Sequence, residues 1–177
     1  MTTRPPRQLF VRSRPGARTH GLLELAGRTF RCALGRSGIR VLKREGDGAT
    51  PAGPLEIESV FYRSDKVCRP RTLLPIRRIT PRAGWCDAPT DRNYNRPVVH
   101  PYPASAEHLW RADDLYDLVV VLSHNRRPRR RGCGSAVFLH IARPGFAHTE
   151  GCVAMRHDDL MRLLGRLRPG DKLCILP

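Results

Sequence analysis

A histidine and a cysteine that lie close together in the sequence could carry out acyl transfer through a thiol. His140 lies near the end of the apolar run 137–141, and Cys152 follows Gly151 after a short loop. A histidine can take the proton of a thiol, and the thiolate can attack a carbonyl carbon. A glycine lets the backbone approach closely, so that nearby amides can point at the developing oxyanion. A cysteine after a glycine is also a common packing residue, so this pattern alone leaves both interpretations open.

The spacing of the cysteines argues against a metal site or a redox pair. The chain has six cysteines, and the two nearest in sequence, Cys68 and Cys86, are 18 residues apart. No C-x-x-C unit exists, so zinc-ribbon and thioredoxin-like sites lose their main support. The cysteines and histidines around the apolar run also match no zinc-ligand spacing: Cys133, His140, His148 and Cys152. We therefore expect no metal site.

The charge of the chain is extreme. Lysine and arginine number 32 against 16 acidic residues, which gives a formal net charge of +16. The densest arginine block, residues 126–131, repels itself unless an anionic partner is near, whereas the dispersed arginines are most simply a solvated face. A nucleic-acid-binding protein is therefore an alternative. Aromatic residues make up only 6% of the chain, however, and none lies within the arginine block, so nucleic acid is not the favoured partner.

No apolar run reaches the length of about 18 residues that a membrane-spanning helix needs. The longest, residues 118–122, has the size of a strand, so we expect no membrane span. Residues 1–6 are followed by arginine and proline instead of an apolar segment, so no secretory signal is visible.

Short apolar segments bounded by glycine and proline predict a mostly β fold. Residues 21–25 and 28–34 indicate a hairpin around the tight turn Ala26-Gly27. Residues 158–167 have a helical period, with acidic residues in the first turn of the segment. A second short helix is expected at residues 105–110, because Ser105 is placed to cap it. Further strands are expected at residues 39–42, 55–61, 73–79, 117–123, 135–141 and 173–176.

Two motifs resemble the YkuD-type L,D-transpeptidases. The signature of that family is a histidine, a loop and then Ser/Thr-His-Gly-Cys, and the matching positions here are His140, Thr149, Gly151 and Cys152. Residues 46–55 match the Thr-Pro-x-Gly stretch near the start of the family's domain. The resemblance implies a β-sandwich of two mixed sheets with one or two short helices. We expect residues 1–20 to be a loose Arg/Pro-rich segment with a first strand, and residues 21–177 to be the catalytic domain.

The sequence departs from the family pattern around the cysteine. Only eight residues, 141–148, separate the histidine from the Thr-x-Gly-Cys motif, and the usual loop is longer. Glu150 stands where the family has a histidine, and Ala154 replaces a polar residue. Together with segments 84–87 and 91–96, these departures resemble a divergent, signal-less proteobacterial branch. That branch is associated with 1,3 links, from L-Ala to meso-diaminopimelate, in place of the commoner 3,3 links.

The resemblance implies a reaction in two steps. The Cys152 thiolate attacks the carbonyl of an L-residue in a peptidoglycan stem peptide, the C-terminal piece leaves, and a thioester forms. A diaminopimelate amine of a second stem then resolves the thioester, with His140 as acid and base and the amides of Gly151 and Cys152 facing the oxyanion. One amide replaces another, so no cofactor or metal is needed. Water in place of the amine would make the protein an L,D-carboxypeptidase or amidase.

Five further residues are expected to contact the substrate. Arg143 is placed to bind a stem-peptide carboxylate, and Thr149 belongs to the matching motif. A carboxylate at Glu150 would raise the pKa of the thiol, which is the wrong direction for activating it. Glu150 would therefore either hold the ammonium of the acceptor or point to solvent. Asn93 and Tyr94 would either contact the substrate or simply form a turn. The implied substrate places the protein in the periplasm or cell wall.

Overall fold

The computed structural model describes residues 5–177, and most of their regular structure is β-strand. The elements in chain order are β1 (Gln8–Arg14), β2 (Ala17–Leu25), β3 (Arg28–Ala33), β4 (Ile39–Arg40), β5 (Thr50–Pro51), β6 (Gly53–Tyr62), β7 (Ile76–Arg78), β8 (Ala83–Cys86), β9 (Pro97–Val99), β10 (Ala106–His108), β11 (Leu118–Leu122), β12 (Phe138–Ile141), a 3₁₀ turn (Pro144–Phe146), β13 (Val153–Met155), α1 (His157–Leu164) and β14 (Lys172–Ile175).

Nine of these strands form one mixed sheet in the order β11-β12-β13-β3-β2-β1-β14-β6-β7. Because β6 also pairs with β11, eight of the nine strands form a closed circuit of hydrogen bonds, with β7 beside β6. Two smaller sheets contain β10-β8-β9 and β4-β5. The predicted mostly β fold is confirmed. The family resemblance implied two separate mixed sheets, but β6 pairs with both β14 and β11 and thereby joins these strands in one sheet.

Side chains of β12 and β13 alternate between two apolar clusters. Leu139 and Val153 join the main core, which also buries the apolar face of α1. Phe138 and Cys152 point the other way, into a second cluster that contains Trp85 of β8. Trp85 meets Phe138 edge-on, with ring centres 5.1 Å apart. The three-stranded sheet therefore packs against the face on which Cys152 lies.

The helix α1 begins close to the predicted position. Asp158 and Asp159 lie in its first turn, where carboxylates complement the positive end of the helix dipole. Leu160 and Leu163 are fully buried in the main core. The helix ends at Leu164, before the predicted end at residue 167.

No helix within residues 5–177 has the length and apolar character needed to cross a membrane.

Residues 11–20 are expected to be loose, but β1 and β2 contain most of them. Val11 is fully buried and pairs with Leu23 of β2 and with Ile175 of β14. β1 lies between β2 and β14 in the sheet and pairs with both. This pairing holds the segment in a strand, although its arginine and proline content favours a loose conformation. β2 also crosses the domain boundary predicted at residue 20.

The short helix predicted at residues 105–110 is wrong, because this segment contains β10. Ala106 pairs with Cys86 and His108 pairs with Gly84, so that β10 completes the edge of β8. A helix of this length is marginal in water. The strand instead gains backbone hydrogen bonds from a partner about 20 residues earlier in the chain, which local sequence cannot reveal.

The hairpin between β2 and β3 forms as predicted, and its turn offers a test of the fold. Ala26 and Gly27 both have positive φ, 48° and 76°, as a type I′ turn requires. Asparagine tolerates this region better than alanine, so Ala26→Asn should raise the free energy of unfolding by about 0.5–1 kcal/mol. Urea denaturation measures this difference. Gly27→Ala should lower the stability by a similar amount, and a loss of stability in Ala26→Asn would contradict the turn assignment.

Candidate active site

The parallel pair β12–β13 places His140 and Cys152 on one face of the sheet. In its register His140 lies beside Ala154, and Leu139 lies beside Val153. Cys152 directly precedes β13, and the Phe138 amide donates a hydrogen bond to its Sγ at 3.3 Å. Since side chains of a strand alternate in direction, Cys152 shares its face with Ala154 and hence with His140. The predicted pair therefore comes together through the pairing of two short strands.

Both side chains line one cavity of about 390 Å³. Residues 135–137 and 147–152 form one side of this cavity, and the loop at residues 43–46 borders it. Its other wall comes from the three-stranded sheet and the segment that precedes β11, through four polar side chains: Asp87, Glu107, Arg111 and Tyr116. The cavity thus combines a thiol, an imidazole and charges of both signs.

The Cys152 thiol is held in its neutral form. Its Sγ donates to the Ala136 carbonyl at 3.2 Å, and the side chain is buried. Burial, with a smaller contribution from the nearby Glu107 carboxylate, raises the pKa of the thiol to about 12, although the Phe138 amide and the Lys43 ammonium oppose this shift. At neutral pH the sulfur therefore carries its proton.

His140 is also neutral at pH 7. It is 5% exposed, and its Nδ1 lies 2.8 Å from the Ile141 carbonyl oxygen. A carbonyl can only accept, so Nδ1 is the protonated nitrogen and Nε2 has the free lone pair. Burial, with smaller contributions from the charges of Arg143 and Arg111, lowers the pKa of the imidazole to about 4, although the carbonyls of Ile141 and Leu115 oppose this shift. The Tyr116 ring packs edge-on against the imidazole, with ring centres 5.2 Å apart.

Thr149 and Gly151 form the tight turn that leads into Cys152. The Thr149 hydroxyl accepts from the Gly151 amide at 3.1 Å and donates to the Cys152 carbonyl at 2.6 Å. Gly151 has φ +134°, and a β-carbon there would lie 2.7 Å from the Ala49 carbonyl oxygen. No larger residue fits without moving one of the two segments. The turn is therefore built for the close approach that the sequence pattern suggested.

The stretch at residues 46–55 lies against the same turn. The Thr50 hydroxyl accepts from the Gly35 amide at 2.8 Å and lies 3.4 Å from the Cys152 carbonyl, to which it donates. The Asp47 carboxylate accepts from the Ala49 amide at 2.9 Å and binds the Lys43 ammonium at 2.5 Å. The two motifs of the sequence, 102 residues apart at Thr50 and Cys152, thus meet at the cysteine.

Three of the five residues predicted to contact the substrate line the cavity, namely Arg143, Thr149 and Glu150. Arg143 is exposed and lines the cavity. Glu150 also lines it, but its side chain is 70% exposed and pairs with Arg36. Thr149 lines the cavity with its hydroxyl bonded to the backbone of the turn. Their role in binding stays a prediction.

Asn93 and Tyr94 lie outside the cavity lining. The side-chain amide of Asn93 donates to the Tyr102 hydroxyl at 2.9 Å. The backbone amide of Asn93 donates to the Asp91 carboxylate, which also stabilises the turn. The Tyr94 hydroxyl donates to the Glu45 carboxylate at 2.5 Å. Because Glu45 borders the cavity, Tyr94 reaches the site only through that side chain. These contacts favour the turn-forming interpretation of the segment.

Sequence reasoning missed the polar residues of the opposite wall, among them Glu107 and Tyr116. They follow no motif, and the sequence predicts a helix where Glu107 lies on a strand. The segment 84–87 is a sequence signal for this wall, since Asp87 belongs to it. Within residues 5–177, no three side chains of His, Cys, Asp or Glu are grouped so that they could hold a metal ion.

Comparison with known families agrees with this geometry. A family model for YkuD, described as the L,D-transpeptidase catalytic domain, matches residues 17–175. The match spans nearly the whole chain, and the chain therefore belongs to the YkuD family of L,D-transpeptidase catalytic domains. The resemblance seen in the sequence is confirmed. Members of this family are cysteine-dependent enzymes that act on peptidoglycan stem peptides. Searches among curated proteins and among solved structures returned no match.

The buried His140 predicts a loss of stability in acid. The native imidazole stays neutral down to about pH 4, whereas the unfolded chain binds a proton below its ordinary pKa of 6.5. Stability is therefore complete above pH 6.5 and falls as the pH drops toward 4. Because His140→Gln removes this difference, its loss of unfolding free energy between pH 7 and pH 4.5 should be smaller than that of the wild type by about 2–3 kcal/mol.

Urea denaturation at the two pH values measures this effect. His148→Gln changes an exposed histidine of the loop between β12 and β13 and should retain the acid dependence of the wild type. Equal acid dependence in His140→Gln and the wild type would show that the imidazole is not held neutral by burial.

Proposed function

We propose that this protein cross-links peptidoglycan stem peptides through a thioester on Cys152, with His140 as acid and base. The observation that supports this most directly is that both side chains lie on one face of β12–β13 and line the same cavity. Membership of the YkuD family supplies the substrate class. The arrangement needs no metal for either step.

In the first step the Cys152 sulfur attacks the carbonyl carbon of an L-residue in the donor stem. The thiol and the imidazole are both neutral, so His140 takes the thiol proton as the sulfur–carbon bond forms. The carbon–nitrogen bond then breaks, and the imidazolium gives its proton to the leaving amine. The product is a thioester of Cys152 and a released C-terminal piece.

In the second step the acceptor reacts as its free amine, after its ammonium has lost a proton to solvent. A carbon–nitrogen bond forms and the carbon–sulfur bond breaks. The amine proton passes through His140 back to the sulfur. We assign the oxyanion of both steps to the Cys152 amide, since the Gly151 amide already donates to the Thr149 hydroxyl. Thr149 then acts by holding the turn in place.

The link that we propose is the 1,3 link between L-Ala and meso-diaminopimelate. Its support is the replacement of the family histidine by Glu150 and of the polar residue by Ala154, which resembles the branch associated with that link. Because family members act on cell-wall peptidoglycan, we place the reaction in the periplasm or cell wall.

Replacement of the nucleophile tests the proposal. Cys152→Ala should reduce cross-linking by at least about a thousandfold, because no other group can form the thioester. Mass spectrometry of muropeptides incubated with the protein measures the products, and mass spectrometry of the intact protein detects the acyl-enzyme. Cys133→Ala, a half-buried cysteine outside the cavity lining, should retain full turnover.

Cross-linking by Cys152→Ala, or an acyl group on Cys133 or Cys86, would overturn the assignment. Products that contain only shortened stems, with no new cross-link, would identify a hydrolase that uses the same residues. The mass of the cross-linked dimer after fragmentation distinguishes 1,3 from 3,3 links.

The arginines divide into two groups with different expected effects. Within the block at residues 126–131, Arg126 pairs with Glu58 at 2.9 Å and Arg129 donates to the Tyr94 carbonyl at 3.0 Å. The other three arginines of the block are exposed: Arg127, Arg130 and Arg131. Exposed charges outside the cavity concentrate a polyanionic polymer near the protein, and salt screens this effect. Arg143 lines the cavity itself.

Neutralising the three exposed block arginines to glutamine should therefore weaken the binding of intact sacculi. This loss should depend strongly on salt and leave turnover of a small soluble muropeptide unchanged. Arg143→Ala should instead reduce turnover of both substrates about tenfold at low and high salt, since a charged hydrogen bond contributes about 1.5–3 kcal/mol. Sedimentation with sacculi and initial rates on the soluble substrate measure the two effects. Equal losses on the soluble substrate would contradict this division.

A further inference from the structure

The part of the cavity wall that comes from the three-stranded sheet presents two carboxylates. In the antiparallel pair of β8 and β10, Glu107 lies beside Trp85. Asp87 follows Trp85 by two residues, so both acidic side chains share one face. Glu107 and Asp87 line the same cavity as Cys152 and His140. These carboxylates therefore face the space in which the thioester would form.

Glu107 is held in place by Tyr116, whose ring also contacts the imidazole of His140. The Tyr116 hydroxyl donates to Oε1 of Glu107 at 2.6 Å, and the Tyr116 ring packs against His140. Oε2 of Glu107 accepts no hydrogen bond within residues 5–177. One carboxylate oxygen thus fixes the side chain, and the other is available to a ligand.

The two carboxylates lack a cation of their own among the described residues. Arg111, which borders the cavity, is bound to Asp113 at 2.6 Å, and Lys43 is bound to Asp47 at 2.5 Å. Oδ1 of Asp87 is buried and accepts no hydrogen bond within residues 5–177. A carboxylate oxygen that has lost water and has no hydrogen-bond partner costs free energy, and a cation bound by the Asp87 and Glu107 carboxylates would lower that cost.

Glu107 also opposes the chemistry of the nucleophile. Its negative charge raises the pKa of the Cys152 thiol, the direction that disfavours attack. Burial raises the pKa of Glu107 itself, the Tyr116 hydrogen bond and Arg111 oppose this, and the charges of Asp87 and Glu45 add to it. Glu107 thus disfavours the attack of the thiol on the donor. Its presence in the cavity is explained if it serves the later step, in which the amine acceptor reacts with the thioester.

We propose that Glu107 and Asp87 bind the ammonium of the amine acceptor and orient it toward the thioester. The ligand is a primary alkylammonium that also has a carboxylate, such as the side-chain centre of diaminopimelate, and Arg143 lies on the same cavity to meet that carboxylate. This inference rests on the proposed function and adds the acceptor site to it. The covalent steps are those given above, and Glu107 takes part in none of them.

Glu150 is the other carboxylate that could hold the ammonium. Its side chain is 70% exposed and pairs with Arg36, so it already has a cation and lies largely in solvent. Screening by water makes an exposed carboxylate a weaker ammonium site than a half-buried one. The geometry therefore favours the wall of β8 and β10.

Glu107→Gln tests the inference, because an amide oxygen can still accept from the Tyr116 hydroxyl while the charge is removed. The donor is a soluble disaccharide tetrapeptide, and the acceptor is a stem tripeptide with a free diaminopimelate amine. Intact-protein mass spectrometry with donor alone gives the rate of acyl-enzyme formation. Product ratios at increasing acceptor concentration give the KM for the amine and the partition between aminolysis and hydrolysis.

We expect Glu107→Gln to raise the acceptor KM about tenfold or more and to shift the partition toward hydrolysis, as loss of a charged hydrogen bond predicts. Acyl-enzyme formation should not slow, because the charge that is removed disfavours the thiolate. Asp87→Asn should act in the same direction. Glu24→Gln, which removes one exposed carboxylate from β2, is the matched control and should change neither quantity.

An unchanged acceptor KM in both variants, with normal acyl-enzyme formation, would overturn this inference alone. Slower acyl-enzyme formation in Glu107→Gln with an unchanged acceptor KM would also overturn it and would identify Glu107 as a support of His140. Asp87→Asn decides the question if Glu107→Gln fails to fold, as judged by circular dichroism. Absence of any acyl-enzyme in the wild type would instead overturn the proposed function.

Discussion

Gly151 lies against the carbonyl oxygen of Ala49, and the position of the nucleophile depends on this contact. A β-carbon on Gly151 would lie 2.7 Å from that oxygen, so the two backbone segments approach as closely as a glycine allows. The Thr149 and Thr50 hydroxyls then meet at the Cys152 carbonyl. With the carbonyl fixed on this side, β13 pairs with β12 and the Cys152 side chain points into the second cluster. The loop at residues 46–55 thus determines where a distant cysteine lies.

Burial around this contact decides the chemistry available to the pair. A thiolate and an imidazolium would each lose hydration in the closed site, and burial moves both pKa values toward the neutral forms. Lys43 favours the thiolate and Glu107 opposes it, so the cavity contains competing charges instead of a field of one sign. Such a site suits proton transfer that accompanies bond formation. It also suits a substrate with an ammonium and carboxylates.

The strand and the turn that hold the His140–Cys152 pair could be predicted from the sequence because local features determine them. The apolar run that ends near His140 and the glycine before Cys152 predict a strand and a tight turn, and both form. The opposite wall could not be predicted in this way. Glu107 lies on a three-residue strand, and the pairing of this strand with β8 is a tertiary contact. The local sequence of the same residues favours a capped helix instead. Val11 shows the same limit, since its neighbours β2 and β14 lie far apart in the chain.

The departures from the family pattern near the cysteine belong to one local packing arrangement. Ala154 lies beside His140 in the register of β12–β13 and packs with Ala33 and Phe146. Phe146 comes from the short loop that follows β12, where Arg31 covers its ring at 4.8 Å. A polar side chain at residue 154 would interrupt this apolar contact and lose hydrogen bonds to water. Nδ1 of the imidazole donates to the Ile141 carbonyl at 2.8 Å, so the ring needs no hydrogen-bond partner at residue 154 for this nitrogen. Ala154 and Phe146 of the short loop are therefore free to form one apolar contact.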